Sequence, residues 1–295
     1  MVAISVSPMQ SGIGSMEKNR IIDNDEALRI ALEREKAGKY LLNQLISFNQ
    51  IIDADFKKSS IYSRLGHLIR EFGKFIEGET DVKMRVHLLL QFFYGEKGFF
   101  CDRETYFHAS NLMLPHVFAT KEGTPAVLGS ILLFIAANFH LPIRGVNFPT
   151  QFLLRVDVDD EVAFIDPWNG KYVSQETIQT WLEGYLGFGT PLSEEYVGVG
   201  DLIDLEDRMY QVLKSALIRE GRNEQALALI EHRLSETPDD PYEIRDRGVV
   251  YGNMECFHLA VPDLTYFVEQ CPQDPVAPLI RLQLQDLKHI PYSFQ

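Results

Sequence analysis

The sequence predicts an α+β protein. An N-terminal helical bundle leads into one buried helix laid on a small antiparallel sheet, and an all-α tail of helical hairpins follows. Three observations carry this. Apolar residues recur at helical spacing from Asp23 to Tyr94. An almost unbroken apolar run, Ala126–Phe139, is followed by three short extended pieces. The last third of the chain repeats itself at an interval of 34 residues.

The helical part shows three stripes: Ala27, Leu28, Ala31 and Leu32; Leu41, Leu42, Leu45, Ile46 and Phe48; and Ile61, Leu65, Leu68, Ile69 and Phe72. Charged and polar residues fill the other faces, as helices on a shared core require. Thr80-Asp81 offers an N-cap to a helix over Val82–Tyr94, whose buried side is Val86, Leu89, Leu90 and Phe93. Gly95 to Gly98 stop it. Phe99–Tyr106 reads as an irregular aromatic segment, and Asn111–Ala119 as a short helix that accepts Pro115 only near its first turn.

The central unit runs from Gly123 to Asp166. Gly123-Thr124-Pro125 opens its buried helix and His140-Leu141-Pro142 closes it. The extended pieces are Leu141–Asn147, Gln151–Val156 and Val162–Ile165, with Asp157-Val158-Asp159-Asp160 read as a solvent-facing hairpin turn. In such a unit the helix N-terminus, the start of one strand and the end of another can converge. Pro125, Gln151 and Asp166 hold those positions. Beyond Trp168-Asn169-Gly170, Ser174 and Thr177 both offer N-caps for a helix to about Glu183, and the glycine-rich Tyr185–Val199 reads as a domain boundary.

In the tail, Ala226 is matched by Ala260 and Pro238 by Pro272, each 34 residues on, the period of the tetratricopeptide helix–turn–helix. Gly221 falls at the first inter-helix turn, and Gly248 and Tyr251 on the next helix. Val276–Lys288 is the expected capping helix. Pro262 requires its helix either to start late or to kink. Two repeats are too few to stand alone, so they are expected to pack on the preceding domain. The expected division is residues 1–22 as a loosely ordered start, 23–190 as the first domain with its helical part, and 200–295 as two repeats and a cap.

The central unit resembles the core of the transglutaminase-like superfamily. In that fold a cysteine opens a buried helix, a histidine lies on the next strand and an aspartate on the strand after. The helix terminus and imidazole lower the thiol pKa, and the carboxylate orients the imidazole. Laid on this chain, the nucleophile position falls at or next to Pro125, with no cysteine from Gly123 to Ser130, and the histidine position at Gln151, within Phe148-Pro149-Thr150-Gln151-Phe152. Asp166 alone survives. Proline offers no nucleophile, and glutamine has no proton to exchange near neutral pH. The resemblance therefore implies a vestigial triad and a pseudoenzyme.

Over roughly residues 94 to 275 the chain is similar to the SirB-type family, named as invasion regulators. The matching stretches are Tyr94-Gly95-Glu96-Lys97-Gly98-Phe99, Gly123-Thr124-Pro125-Ala126-Val127-Leu128-Gly129-Ser130-Ile131-Leu132-Leu133, Phe148-Pro149-Thr150-Gln151 and Asp240-Pro241-Tyr242-Glu243-Ile244-Arg245-Asp246-Arg247-Gly248, the last continuing to Tyr266-Phe267-Val268-Glu269-Gln270-Cys271-Pro272. That family joins a transglutaminase-like domain to tetratricopeptide repeats, and its name implies regulation rather than a reaction.

The expected function is a non-catalytic adaptor or regulator that binds a protein or peptide through a repeat groove, with Arg245, Arg247 and Asn253 as lining residues. Self-association is left open. Two alternatives stand beside it. One is a cysteine-dependent hydrolase or acyl transferase with Cys101 as a displaced nucleophile. The other is a peptide or small-molecule sensor using the old cleft. The ordinary readings are that Asp166, before a proline, ends a strand, that Gln151 is a buried hydrogen-bonding side chain, and that Cys101, Cys256 and Cys271 are packing residues. A net charge of −14 argues against nucleic acid and anionic membrane surfaces. No apolar run has membrane-spanning length, and the start of the chain lacks a positive n-region. No cofactor is expected. His108, His116 and His140 match no metal spacing, so no metal is expected either, and the sparse cysteines suit the cytoplasm.

Overall fold

The structure is a computed structural model that describes residues 24–288. The expected loose start at 1–22 lies outside them. Helices α1 (Asn24–Ile52), α2 (Lys58–Phe75) and α3 (Val82–Leu90) form the first part. The stripes from Leu41 onward and from Ile61 onward are buried, whereas Leu32 is exposed. Asp81 caps α3 by accepting from the Met84 amide at 2.6 Å. The helix then widens: Gln91–Glu96 is π-helical, and the Lys97 amide reaches back to the Phe92 carbonyl at 2.8 Å. Phe93 and Phe99 stack at 4.2 Å inside the core. Ala109–Leu112 is a single 3₁₀ turn, and α4 (Leu114–Thr120) takes Pro115 in its first turn.

Helix α5 (Pro125–Asn138) is the centre of the body. Thr124 caps it, Pro125 opens it, and Val127 to Ala137 are all buried. It can be apolar all round because it is covered all round. Helix α1 packs on one side and the sheet on another. Gly129 lets β2 come close, since a Cβ there would stand 2.4 Å from the Phe152 ring. The sheet is a four-stranded antiparallel meander in the order β1 (Ile143–Asn147), β2 (Phe152–Val158), β3 (Glu161–Asp166) and β4 (Lys171–Val173). Alternation sorts its faces. Phe152, Leu154 and Val156 join the core with α5, while Leu153 and Phe164 face α6 (Gln175–Leu186) through Ile178 and Leu182. Ser174 caps α6 by accepting from the Thr177 amide.

Two readings of this unit change. The β2–β3 turn is only Asp159-Asp160, both at positive φ (51° and 62°), a geometry that acidic and amide side chains tolerate. Asp157 is not a solvent-facing turn residue but a ladder position. Arg144 and Arg155 bond its carboxylate, and they hold its pKa low against the opposing effect of burial. Strand β4, which the sequence reading lacks, closes the meander.

After the short α7 (Glu194–Val197) comes the tail: α8 (Leu202–Arg219), α9 (Asn223–Glu236), α10 (Pro241–Asn253), α11 (Phe257–Gln270) and α12 (Ala277–Lys288). The repeat is visible bond by bond. Gly221 turns α8 into α9 at φ 68°, and Glu255, 34 residues on, turns α10 into α11 at φ 59°. The Arg222 amide donates to the Leu217 carbonyl at 2.9 Å, and the Cys256 amide to the Tyr251 carbonyl at 2.8 Å. Asp240 and Asp274 each accept from the amide two residues on at 2.8 Å. Ala226 and Ala260 are fully buried. Helix α11 starts ahead of Pro262, so the ring sits inside it and leaves the His258 carbonyl without its intrahelical donor. Among the described residues, no helix is long and apolar enough to cross a membrane.

The repeats pack on the body as expected of so short an array. One continuous core runs from Leu41 through α5 into Leu205, Tyr210, Leu217, Ile230 and Val250. Phe48 of α1 meets Tyr210 of α8 edge to face at 5.9 Å. Lys214 of α8 is almost fully buried, 2.6 Å from Glu243 and 2.7 Å from Asp246 of α10. The Tyr210 hydroxyl donates to the second Glu243 oxygen at 2.6 Å. Removing one member of such a set strands the others in a dry site. Lys214→Met should therefore destabilise the fold by about 3–5 kcal/mol in urea titration, with two carboxylates left facing each other.

Candidate functional site

The N-terminus of α5 and the β1–β2 loop meet at one cleft. Thr124, Pro125 and Ala126 line it from α5, and Gln151 and Phe152 from the loop and β2. Tyr106 comes from the irregular segment. Leu205, Arg208, Met209 and Val212 of α8 form its roof. The cavity measures about 30 Å³, room for about one or two waters. Pro125 is buried at N1 and presents a ring. The Gln151 amide nitrogen is buried without a hydrogen-bond partner. Pro125 and Gln151 thus share one cleft, and neither side chain offers a nucleophile or a general base.

Asp166 ends β3 just outside that lining. Its carboxylate accepts from the Trp168 amide at 2.8 Å, and its backbone carbonyl accepts from Gly170 at 2.8 Å. These bonds build the β3–β4 turn. Burial pushes the Asp166 pKa up, and the Trp168 bond opposes that shift. Trp168 stacks on Tyr106 at 5.4 Å, and Tyr94 donates to the Pro167 carbonyl at 2.6 Å, so the turn is held from both sides.

Cys101 is half-buried near the same carboxylate. Burial, and then the negative charges of Glu122, Asp166 and Asp102, push its thiol up to about 12. That is the reverse of what activates a cysteine. Cys256 and Cys271 lie in the repeats, partly buried. Among the described residues no group of histidine, cysteine or carboxylate side chains converges as a metal site.

The residue that sequence reasoning missed is Arg208. Its guanidinium crosses from α8 to the β1–β2 loop, donating to the Asn147 side-chain oxygen at 2.9 Å, the Phe148 carbonyl at 2.5 Å and the Pro149 carbonyl at 3.5 Å. This clamp holds the roof over the loop that carries Gln151. Its only sequence signal is a basic residue among the other charges of an amphipathic helix.

The repeat residues fare differently. Arg247 forks onto Asp263 at 2.7 and 2.9 Å and reaches Glu231 at 3.3 Å. Arg245 bonds the Asp246 carboxylate and lies over the Tyr242 and Phe267 rings at 5.4 and 5.2 Å. Asn253 is exposed at the end of α10.

Comparison with known proteins agrees with this architecture. The transglutaminase-like superfamily pattern matches residues 59–211, and a tetratricopeptide repeat pattern matches 213–285, so the two meet inside α8. A UPF0162 protein of Pasteurella multocida is 48% identical over 229 residues, covering 78% of this chain and 87% of that one. A UPF0162 protein of Haemophilus influenzae is 43% identical over 249 residues, 84% and 93% of the two chains. Protein SirB1 of Salmonella typhimurium is 36% identical over 250 residues, again 84% and 93%. No solved structure matches significantly. The chain belongs to the UPF0162/SirB1 family of bacterial proteins, in which a transglutaminase-like domain runs directly into tetratricopeptide repeats.

Proposed function

We propose that the protein is a non-catalytic adaptor or regulator of the bacterial cytoplasm: a transglutaminase-like body emptied of its reaction centre, with a repeat region that binds a protein or peptide partner. One observation carries this reading. The cleft at the α5 N-terminus is lined by Pro125 and Gln151, roofed by α8, and no larger than about 30 Å³. Thiol chemistry needs a nucleophile, a base and room for an acyl group, and all three are wanting there.

The repeat region supports the binding half of the reading, because helix–turn–helix arrays present ordered side chains on a rigid face. Arg245, stacked beside the half-exposed Tyr242, and the exposed Asn253 are the proposed partner contacts. Arg247, paired to Asp263 across α10 and α11, fixes the shape of that surface.

The alternative of a thiol enzyme working through Cys101 makes a contrary demand on its pKa. Iodoacetamide labelling followed by mass spectrometry separates the two. With a thiol near 12 against about 8.5 for free cysteine, Cys101 should label about a hundredfold more slowly than free cysteine at pH 7.5, after allowing for its greater intrinsic nucleophilicity. Its rate should keep climbing beyond pH 9 with no plateau. Fast, saturating labelling of Cys101 near neutral pH would restore the enzyme reading.

The adaptor reading makes its own prediction for pull-down from the native cell. Asp166→Ala should retain the partner captured by the wild-type chain. Arg245→Glu should weaken capture by about fivefold or more, measured well below the variant's own Tm because the new carboxylate faces Asp246. The opposite pattern would move the interface to the old cleft.

A further inference from the structure

A basic cavity lies away from the cleft, between α2 and the turns that follow α3 and α4. Arg64, His67 and Arg70 enter it from α2, Lys97 from the end of the π-helical turn, and Lys121 from the end of α4. Leu68 and Phe118, both buried, form apolar parts of its wall, and its volume is about 500 Å³. Arg64, Arg70, Lys97 and Lys121 are four cations, against the lining carboxylate of Glu71 and that of Glu96, which lies 3.1 Å from Lys97. Such a concentration stands out on a chain of net charge −14.

Glu71 is already shared by Lys97 at 2.9 Å and His67 at 3.2 Å. Arg64 spends one N–H on the Phe118 carbonyl at 3.2 Å. The Lys121 ammonium rests over the Phe99 ring at 4.7 Å. Burial, and then Arg64 and Lys97, press its pKa down, with Glu71 opposing. Its backbone is equally telling. Lys121 occupies the left-handed region at φ 69°, the helix-ending position that glycine fills without strain. Its amide donates to the Val117 carbonyl at 2.8 Å and its carbonyl accepts from Phe100 at 2.9 Å, which pins the residue on both sides. A charged side chain held in an unfavourable backbone conformation among like charges breaks two local rules at once, as functional positions do.

The geometry points to a binding site for a small ligand carrying two or more linked phosphate groups. Two guanidinium forks match phosphate oxygens in pairs, two ammonium groups add point charge, and the Ser63 hydroxyl completes the rim. The charge excess suits a di- or triphosphate, and the volume falls within the range of small-molecule pockets.

Thermal shift and titration calorimetry on the full chain test this with inorganic pyrophosphate and tripolyphosphate, using sodium sulfate at equal ionic strength as control. Both phosphates should raise Tm saturably and sulfate should not. Lys121→Gly removes the cation while suiting the backbone, so the ligand-free Tm should hold or rise while phosphate affinity falls about tenfold or more. Arg70→Gln, at an exposed position, should weaken binding likewise, and Lys83→Ala, outside the cavity, should leave it unchanged. Phosphates acting no better than sulfate, or Lys121→Gly and Arg70→Gln both binding like the wild-type chain, would overturn the inference.

Discussion

Helix α8 satisfies two packing requirements at once, and the rest of the molecule is arranged around that. One side presents Leu205, Arg208 and Met209 to α5 and the β1–β2 loop. The other presents Tyr210 and Lys214 to Glu243 and Asp246 of α10. A buried ion pair of this kind brings little net stability, because desolvation offsets the attraction. It does demand one alignment, since any slip of α8 against α10 strands a charge. The repeats are thereby fixed to the body through a helix within which the two family patterns also abut.

This arrangement bears on the chemistry. A thiol at the α5 N-terminus would need access for an acyl group, and Leu205, Arg208, Met209 and Val212 of α8 line the cleft there. Pro125 and Gln151, which offer neither a nucleophile nor a base, line a cleft that α8 roofs. Asp166 has a use that needs no reaction: its carboxylate accepts from the Trp168 amide and builds the turn into β4.

Much of this was legible in the residues because it is written locally. The stripes Leu41–Phe48 and Ile61–Phe72 each lie on one helix. The Thr124-Pro125 start of α5 is a cap followed by a proline, and the 34-residue spacing of Ala226 and Ala260 is a direct count. What stayed hidden depends on distant partners. Asp157 sits in an acidic run that looks like a turn, yet it pairs with Arg144 on the neighbouring strand and Arg155 on its own. Arg208 looks like one more surface charge on an amphipathic helix, and only the fold brings the Asn147–Pro149 loop to it. The basic cavity is assembled from Arg64, Lys97 and Lys121, each unremarkable where it stands in the chain. Strand β4 is three residues long, too short for any alternation to show.

The central claim is that α8 roofs the cleft at the α5 N-terminus. Its most direct test restores the chemistry beneath the roof with Pro125→Cys/Gln151→His and follows iodoacetamide labelling at position 125 by mass spectrometry. With α8 intact, the introduced thiol should label at least about tenfold more slowly than free cysteine at pH 7.5, and adding Arg208→Ala and Met209→Ala should speed it toward the free rate. Rapid labelling at position 125 with the roof in place would show an open cleft and contradict the account.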